Sequence, residues 1–154
     1  ISKRNRNVSS FMPRVSALLI IVFAAAISLA AQTVRTPEKG SAERKQILDV
    51  LRVPVERQLK QKVVFVADDF RVQGNWAFVG GRPQSPSGGD PDYRGTIYYE
   101  AQNEGAFDNN FFALFKKTGG KWRVVKYAIG CTDVCYADWW RTYKAPKAIF
   151  PYAE

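Results

Sequence analysis

The sequence predicts an α+β fold, with an N-terminal helix packed on a curved antiparallel sheet of four to five strands. Three observations carry this. One stripe has helical spacing: Ile47, Leu48, Leu51, Val55 and Leu59 recur along a charged segment. From Lys62 onward the apolar period shortens to two, in runs rich in Val, Phe, Tyr and Trp. Glycine-rich turn signals separate those runs and make them consecutive antiparallel strands.

The elements follow in order. Ser41 stands where a helix cap belongs, and Glu43 falls in the first turn. Arg44, Lys45, Asp49, Arg52, Glu56 and Arg57 fill the polar side. Pro54 cannot donate to the carbonyl of Val50, so a kink or restart is expected there. In the first strand, Val64, Val66, Phe70 and Val72 are assigned to one face. Asp68-Asp69 interrupts them as a bulge or an edge. Gly74-Asn75 turns the chain into Trp76–Gly80, so 62–81 reads as one long hairpin. Residues 82–95 hold three prolines and three glycines and read as a loop. Thr96–Ala101 is assigned as a third strand and Asn103-Glu104-Gly105 as a turn. Asn110–Lys117 is the fourth strand, Gly119-Gly120 a turn, and Lys121–Ile129 the fifth. A C-terminal strap from Cys131, ending in Phe150, Pro151 and Tyr152, completes a single domain over 42–154. Trp76 and Trp122 alternate with Phe78 and Val124 and are expected to be buried. At least one of the adjacent Trp139 and Trp140 is expected to be partly exposed.

A leading helix followed by a strand meander resembles cystatin-like and NTF2-like domains, an analogy of fold that carries no function. A lipocalin-like barrel is disfavoured by the small number of strands.

Val15–Ala31 is uncharged and apolar, follows Arg14, Arg6, Arg4 and Lys3, and ends in the small residues Ser28, Ala30 and Ala31. That is the pattern of a secretory signal peptide over 1–31, cleaved after Ala30 or Ala31, with 32–41 a polar leader. Met12 is the only methionine. A start there leaves 1–11 as an upstream extension, or else they belong to a longer basic region. The apolar run has 17 residues, short of the roughly 20 that span a bilayer. No stable transmembrane span is therefore expected after cleavage, and the protein is expected to be periplasmic or secreted. The alternative is a membrane anchor through residues 15–31.

The chain has 154 residues and no histidine. That excludes Ser-His-Asp and Cys-His catalysis and His-ligated zinc. It carries 23 basic and 14 acidic residues. Residues 1–31 hold four of the basic and none of the acidic ones, which leaves 19 and 14, a net +5. An excess of this size either biases the protein toward an anionic envelope polymer, a lipid headgroup or a partner protein, or only keeps the chain soluble. No nucleic acid is expected outside the cytoplasm. Two cysteines are too few for a disulfide scaffold or a four-cysteine metal site, and no metal or cofactor is expected. In an oxidising compartment Cys131 and Cys135 are expected to pair as a disulfide across one helical turn.

Asp133 and Tyr136, with Asp138 nearby, or else Asp68, are the candidates for acid–base work in a pocket. The simpler role for Asp133, shared with Thr132, is to cap a short helix. Asp68, Asp69, Glu100 and Asp108 show no diagnostic spacing. Trp139, Trp140, Arg141, Tyr143 and Lys144 form the densest aromatic and basic cluster. They are a candidate binding surface for a sugar, lipid headgroup or protein; the alternative is that both tryptophans cover the open end of the core. There is no P-loop, no G-x-G-x-x-G, no G-x-S-x-G, no EF-hand loop and no internal repeat.

Several local runs, Val72-Gln73-Gly74-Asn75-Trp76-Ala77-Phe78-Val79, Lys121-Trp122-Arg123-Val124-Val125 and Gly130-Cys131-Thr132-Asp133-Val134, stand before Trp140, Tyr143, Ala145-Pro146 and Phe150-Pro151. Together they resemble a group of small exported bacterial proteins of unknown function, over about residues 43–151. The resemblance implies a shared fold without a shared reaction. The expectation is an exported, non-catalytic envelope protein, a binding or accessory module. The alternative is a small NTF2-like pocket enzyme or small-ligand carrier with an Asp/Tyr acid–base pair.

Overall fold

The chain divides into two units, Ile1–Ala31 and Gln32–Glu154. The computed structural model describes residues 33–154, so the expected signal segment lies outside the described residues.

Helix α1 spans Ala42–Leu59. Ser41 Oγ accepts the Arg44 N–H at 3.3 Å and caps it. Ile47, Leu51, Val55 and Leu59 are buried every fourth residue. The helix runs through Pro54 without the expected restart. Lys60, with φ 57°, ends it in the left-handed conformation.

Four strands follow, β1 (Val64–Gln73), β2 (Trp76–Gln84), β3 (Phe111–Thr118) and β4 (Lys121–Ile129). They form an antiparallel sheet in chain order. Two-residue turns join β1 to β2 at Gly74-Asn75 and β3 to β4 at Gly119-Gly120. Both glycines of the second turn have positive φ, 57° and 74°, as a twist-matched hairpin turn requires. The leader is tied to the outer edge of β1. Arg35 and Val72 exchange two backbone hydrogen bonds of 2.8 and 2.9 Å. The Arg35 guanidinium donates twice to the Glu43 carboxylate, at 2.6 and 3.0 Å.

The assigned strand Thr96–Ala101 is absent, and the sheet has four strands. Residues 96–98 turn, and a short helix, α2 (Tyr99–Asn103), follows. Thr96 Oγ1 donates to Tyr93 O at 2.6 Å and accepts the Tyr98 N–H at 3.2 Å. These local bonds compete with a strand ladder. The face assignment in β1 also changes. The register shifts between Ala67 and Asp69, so Asp68 is an extra residue. One inserted residue reverses the side-chain alternation. Phe65 before the bulge and Phe70 and Val72 after it thus share the helix-facing core, while Val64 is exposed. Gly81 faces this bulge, and a Cβ there would lie 2.0 Å from Val66 O.

Both faces of the sheet are covered. The α1 stripe packs with Phe65, Phe70, Val72, Ala77, Val79, Phe111, Ala113, Phe115, Trp122 and Ile129. On the opposite face Phe78 and Leu114 pack with Tyr136, Trp139, Ala145, Ile149 and Phe150 of the C-terminal strap. Trp122 is buried as expected, whereas Trp76 is half-buried and packs with the strap. It shares the Phe78 face, and that face turns away from the helix.

Candidate functional site

The strap is built locally before it crosses the sheet. The Asn110 side chain donates to Cys131 O at 2.7 Å and accepts the Cys131 N–H at 2.9 Å. Cys131 and Cys135 stand at disulfide distance, with Cα atoms 6.1 Å apart. The segment between them bends at residues 132–133 and turns tightly about Val134, in place of a helical turn. Asp133 O accepts the Cys135 N–H at 2.8 Å, and Asp133 Oδ1 accepts the Val134 N–H at 2.6 Å. Asp133 thus closes a turn and caps no helix; the short helix α3 (Trp139–Thr142) begins six residues later.

Asp133 and Tyr136 are not brought together. Asp133 is exposed, and no hydrogen bond joins the two side chains. Tyr136 is buried, its ring 4.6 Å from Phe112 and 4.9 Å from Phe78. Burial, reinforced by the charge of Asp69, pushes its hydroxyl pKa up.

Neighbouring residues divide the aromatic cluster between core and surface. Trp139 is buried against Tyr136. Trp140 is half-buried, and its Nε1 donates to the main-chain oxygen of Glu154 at 2.6 Å. The Arg141 guanidinium and the Lys147 ammonium lie 5.2 and 4.8 Å from the centre of its indole ring. Tyr143 is half-buried. Lys144 is exposed with φ 56° and lies just beyond α3. The partly exposed member of the tryptophan pair is therefore Trp140.

Charge is segregated along the fold. Residues 33–110 carry eleven basic and eleven acidic side chains. Residues 111–154 carry eight and three, so they hold the whole +5 excess. All seven ion pairs among the described residues lie between Arg35 and Arg94. None of the eight later cations is in these ion pairs, although Lys117 stands near enough to Glu43 for its charge to help lower that carboxyl's pKa. Four of them lie over indole rings, with Lys116 above Trp76, Lys117 above Trp122, and Arg141 and Lys147 above Trp140.

At the other end of the helix-facing core is a polar and aromatic plug that the sequence reading missed. Tyr127 Oη donates to Gln58 Oε1 at 2.6 Å, and Gln58 Nε2 donates to Tyr98 Oη. Tyr93 Oη donates to Asn109 Oδ1 at 2.5 Å. Burial raises the pKa of Tyr93 and lifts that of Tyr98 to about 12. Tyr93 packs edge to face on Tyr98 and Phe107 at 6.3 and 4.6 Å, and Tyr98 and Phe107 are tilted at 5.4 Å. The visible signal was the run of tyrosines in a loop otherwise rich in Gly, Pro and Asp.

The main grooves are open and superficial. One of about 480 Å³ lies between the leader, Arg44 and the β1 bulge. Another of about 510 Å³ borders Val53, Arg57, Lys60 and Lys62. Neither is lined by Asp133 or Tyr136. Among the described residues, no three Cys, Asp or Glu side chains converge on a position that could hold a metal ion. No helix among them is long and apolar enough to cross a membrane. Comparison with protein-family models, curated proteins and solved structures gives no match.

Proposed function

We propose that the protein is exported and acts outside the cytoplasm as a non-catalytic binding module, engaging an anionic envelope component through its strap and the β3–β4 hairpin. One observation carries the reading: the whole charge excess of residues 33–154 sits in that half, outside the ion pairs of the described residues and with half of its cations over indole rings. Cations left unpaired attract anions over a Debye length of about 8 Å at physiological salt. The half-buried indoles of Trp76 and Trp140 add apolar contact area for a ligand. The Cys131–Cys135 pair fits an oxidising compartment. The alternative of a pocket enzyme or carrier has less in its favour. Tyr136 is packed among aromatic rings, and Asp133 spends its carboxylate on the next backbone N–H.

Retention on immobilised envelope material, eluted with a salt gradient, tests the proposal. The triple variant Trp140→Ala, Lys144→Gln, Lys147→Gln should elute at clearly lower salt than the unaltered protein. Its melting temperature should change little, because these side chains are exposed or half-buried. Elution of the two at the same salt would refute the role of the strap.

A further inference from the structure

We propose that the ligand of this surface is an extended linear polyanion, held along a strip of four cations on the β3–β4 hairpin. The proposal deepens the binding reading above and rests on it. Register and alternation build the strip. Lys121 and Arg123 alternate with the buried Trp122 and therefore point to the strap side. Arg123 pairs with Lys116 across the ladder, and Lys116 pairs with Trp76 on β2. Beyond the register shift after Leu114, Lys126 stands opposite Leu114, which packs with the strap. The strap covers Val125 and Ala128 and leaves Lys116, Lys121, Arg123 and Lys126 exposed.

Residues two apart on a strand are separated by about 6.8 Å, and neighbouring strands by about 4.8 Å. Lys121, Arg123 and Lys126 thus lie along roughly 15 Å of the outer strand, with Lys116 beside Arg123 on β3. A row of this kind matches a chain with regularly repeated anionic groups better than a single small anion. Three of the four are lysines, compact point charges that tolerate varied ligand geometry, where a carboxylate-specific site would favour arginine forks.

A bilayer fits the surface less well. Peripheral membrane binding needs apolar side chains projecting among the cations, and the hairpin has no exposed large apolar residue. The most exposed such residue, Ile97 at 78%, lies instead in an acidic segment with Asp90, Asp92, Glu100, Glu104 and Asp108. That segment would be repelled by an anionic headgroup surface.

The test is titration of the protein with inorganic polyphosphate, with polygalacturonate and with phosphatidylglycerol vesicles, followed by tryptophan fluorescence over a range of salt. At least one polymer should bind, and which one identifies the anionic group. Its affinity should fall with salt at a log–log slope of about −3, as expected for four contacts to a flexible polyanion. The hairpin variant Lys116→Gln, Lys121→Gln, Arg123→Gln, Lys126→Gln should lose at least tenfold in affinity and flatten the slope. The control variant Lys39→Gln, Lys45→Gln, Arg57→Gln, Lys60→Gln removes the same charge from the neutral half and should stay within threefold. Arg123→Lys, which keeps the charge, should also bind normally. Equal loss in the control would overturn the proposal, since net charge alone would then explain the binding. Vesicle binding without polymer binding would overturn it too, while leaving the basic surface as the binding face. Failure of all three ligands to bind would remove both readings.

Discussion

Phe78 tests whether the strap truly forms the second face of the fold. It lies at the centre of β2, fully buried. Its ring is 4.9 Å from Tyr136 and 5.1 Å from Phe150, both strap residues, and 6.3 Å from Phe112 on β3. Phe78→Ala removes the ring from between the sheet and the strap. Loss of a buried Phe side chain is worth about 3 kcal/mol in transfer alone. The cavity left behind brings the expected loss to about 3–5 kcal/mol. In a domain of this size that lowers Tm by about 10–20 °C. If only the helix covered the sheet, the same side chain would face water, and its removal would change stability by about 0.5 kcal/mol or less. The two outcomes are far apart. Urea unfolding gives the free energy, and hydrogen exchange shows where the loss falls. The Glu154 N–H, bonded to Ala137 O at 3.2 Å, should exchange early in the variant. Amides in the middle of α1 should remain tied to global unfolding. A loss below about 1 kcal/mol with unchanged strap protection would refute the two-faced core.

Other outcomes follow from single features. Mass spectrometry of the exported protein should find a chain beginning at Ala31 or Gln32; an intact apolar segment in the membrane fraction would favour the anchor. Thiol counting on unfolded, unreduced protein should find no free thiol. Replacing Cys131 and Cys135 together with Ala should cost less than the roughly 3 kcal/mol of a 15-residue loop, because the ring is so short. The Arg35 hydrogen bond holds the Glu43 carboxyl below its ordinary pKa of 4.5. A depressed folded pKa contributes stability above 4.5 that is lost as pH falls through the folded value. Glu43→Gln should abolish that part of the acid dependence. The effect should stay below about 1 kcal/mol, since the pair is largely solvent-screened, and pH-dependent urea unfolding will measure it.

Where one physical signal dominated, the sequence reading reached the structure. The Ile47–Leu59 stripe, the Ser41 cap and the two glycine turns each rest on a local rule with no strong competitor. Thr96–Ala101 went wrong because β-branched and aromatic residues score as strand formers, and the Thr96 hydroxyl then diverted the backbone into a turn. In β1 the acidic pair marks the bulge, and the reversed alternation before it turns Val64 outward and Phe65 into the core. The candidate site was half visible. A Trp-Trp-Arg run announces an aromatic and basic surface, yet which indole turns inward depends on packing across the sheet.

The second face of the sheet had a sequence signature after all. A sheet with one wet face alternates apolar and polar residues, whereas one buried on both sides carries continuous apolar runs. Ala77-Phe78-Val79 and Phe111-Phe112-Ala113-Leu114-Phe115 are such runs, on the two central strands. The outer strand β4 alternates instead, setting Lys121 and Arg123 against Trp122 and Val124. The strap is therefore needed over the middle of the sheet, and on β4 it covers only Val125 and Ala128. Lysines along an edge strand also discourage pairing with other chains. At this edge Lys121 and Lys126 stay outside every ion pair among the described residues. Edge protection alone would be equally well served by lysines paired with surface acids. Leaving a whole face unneutralised raises self-repulsion in the free protein, a penalty relieved when an anion is bound.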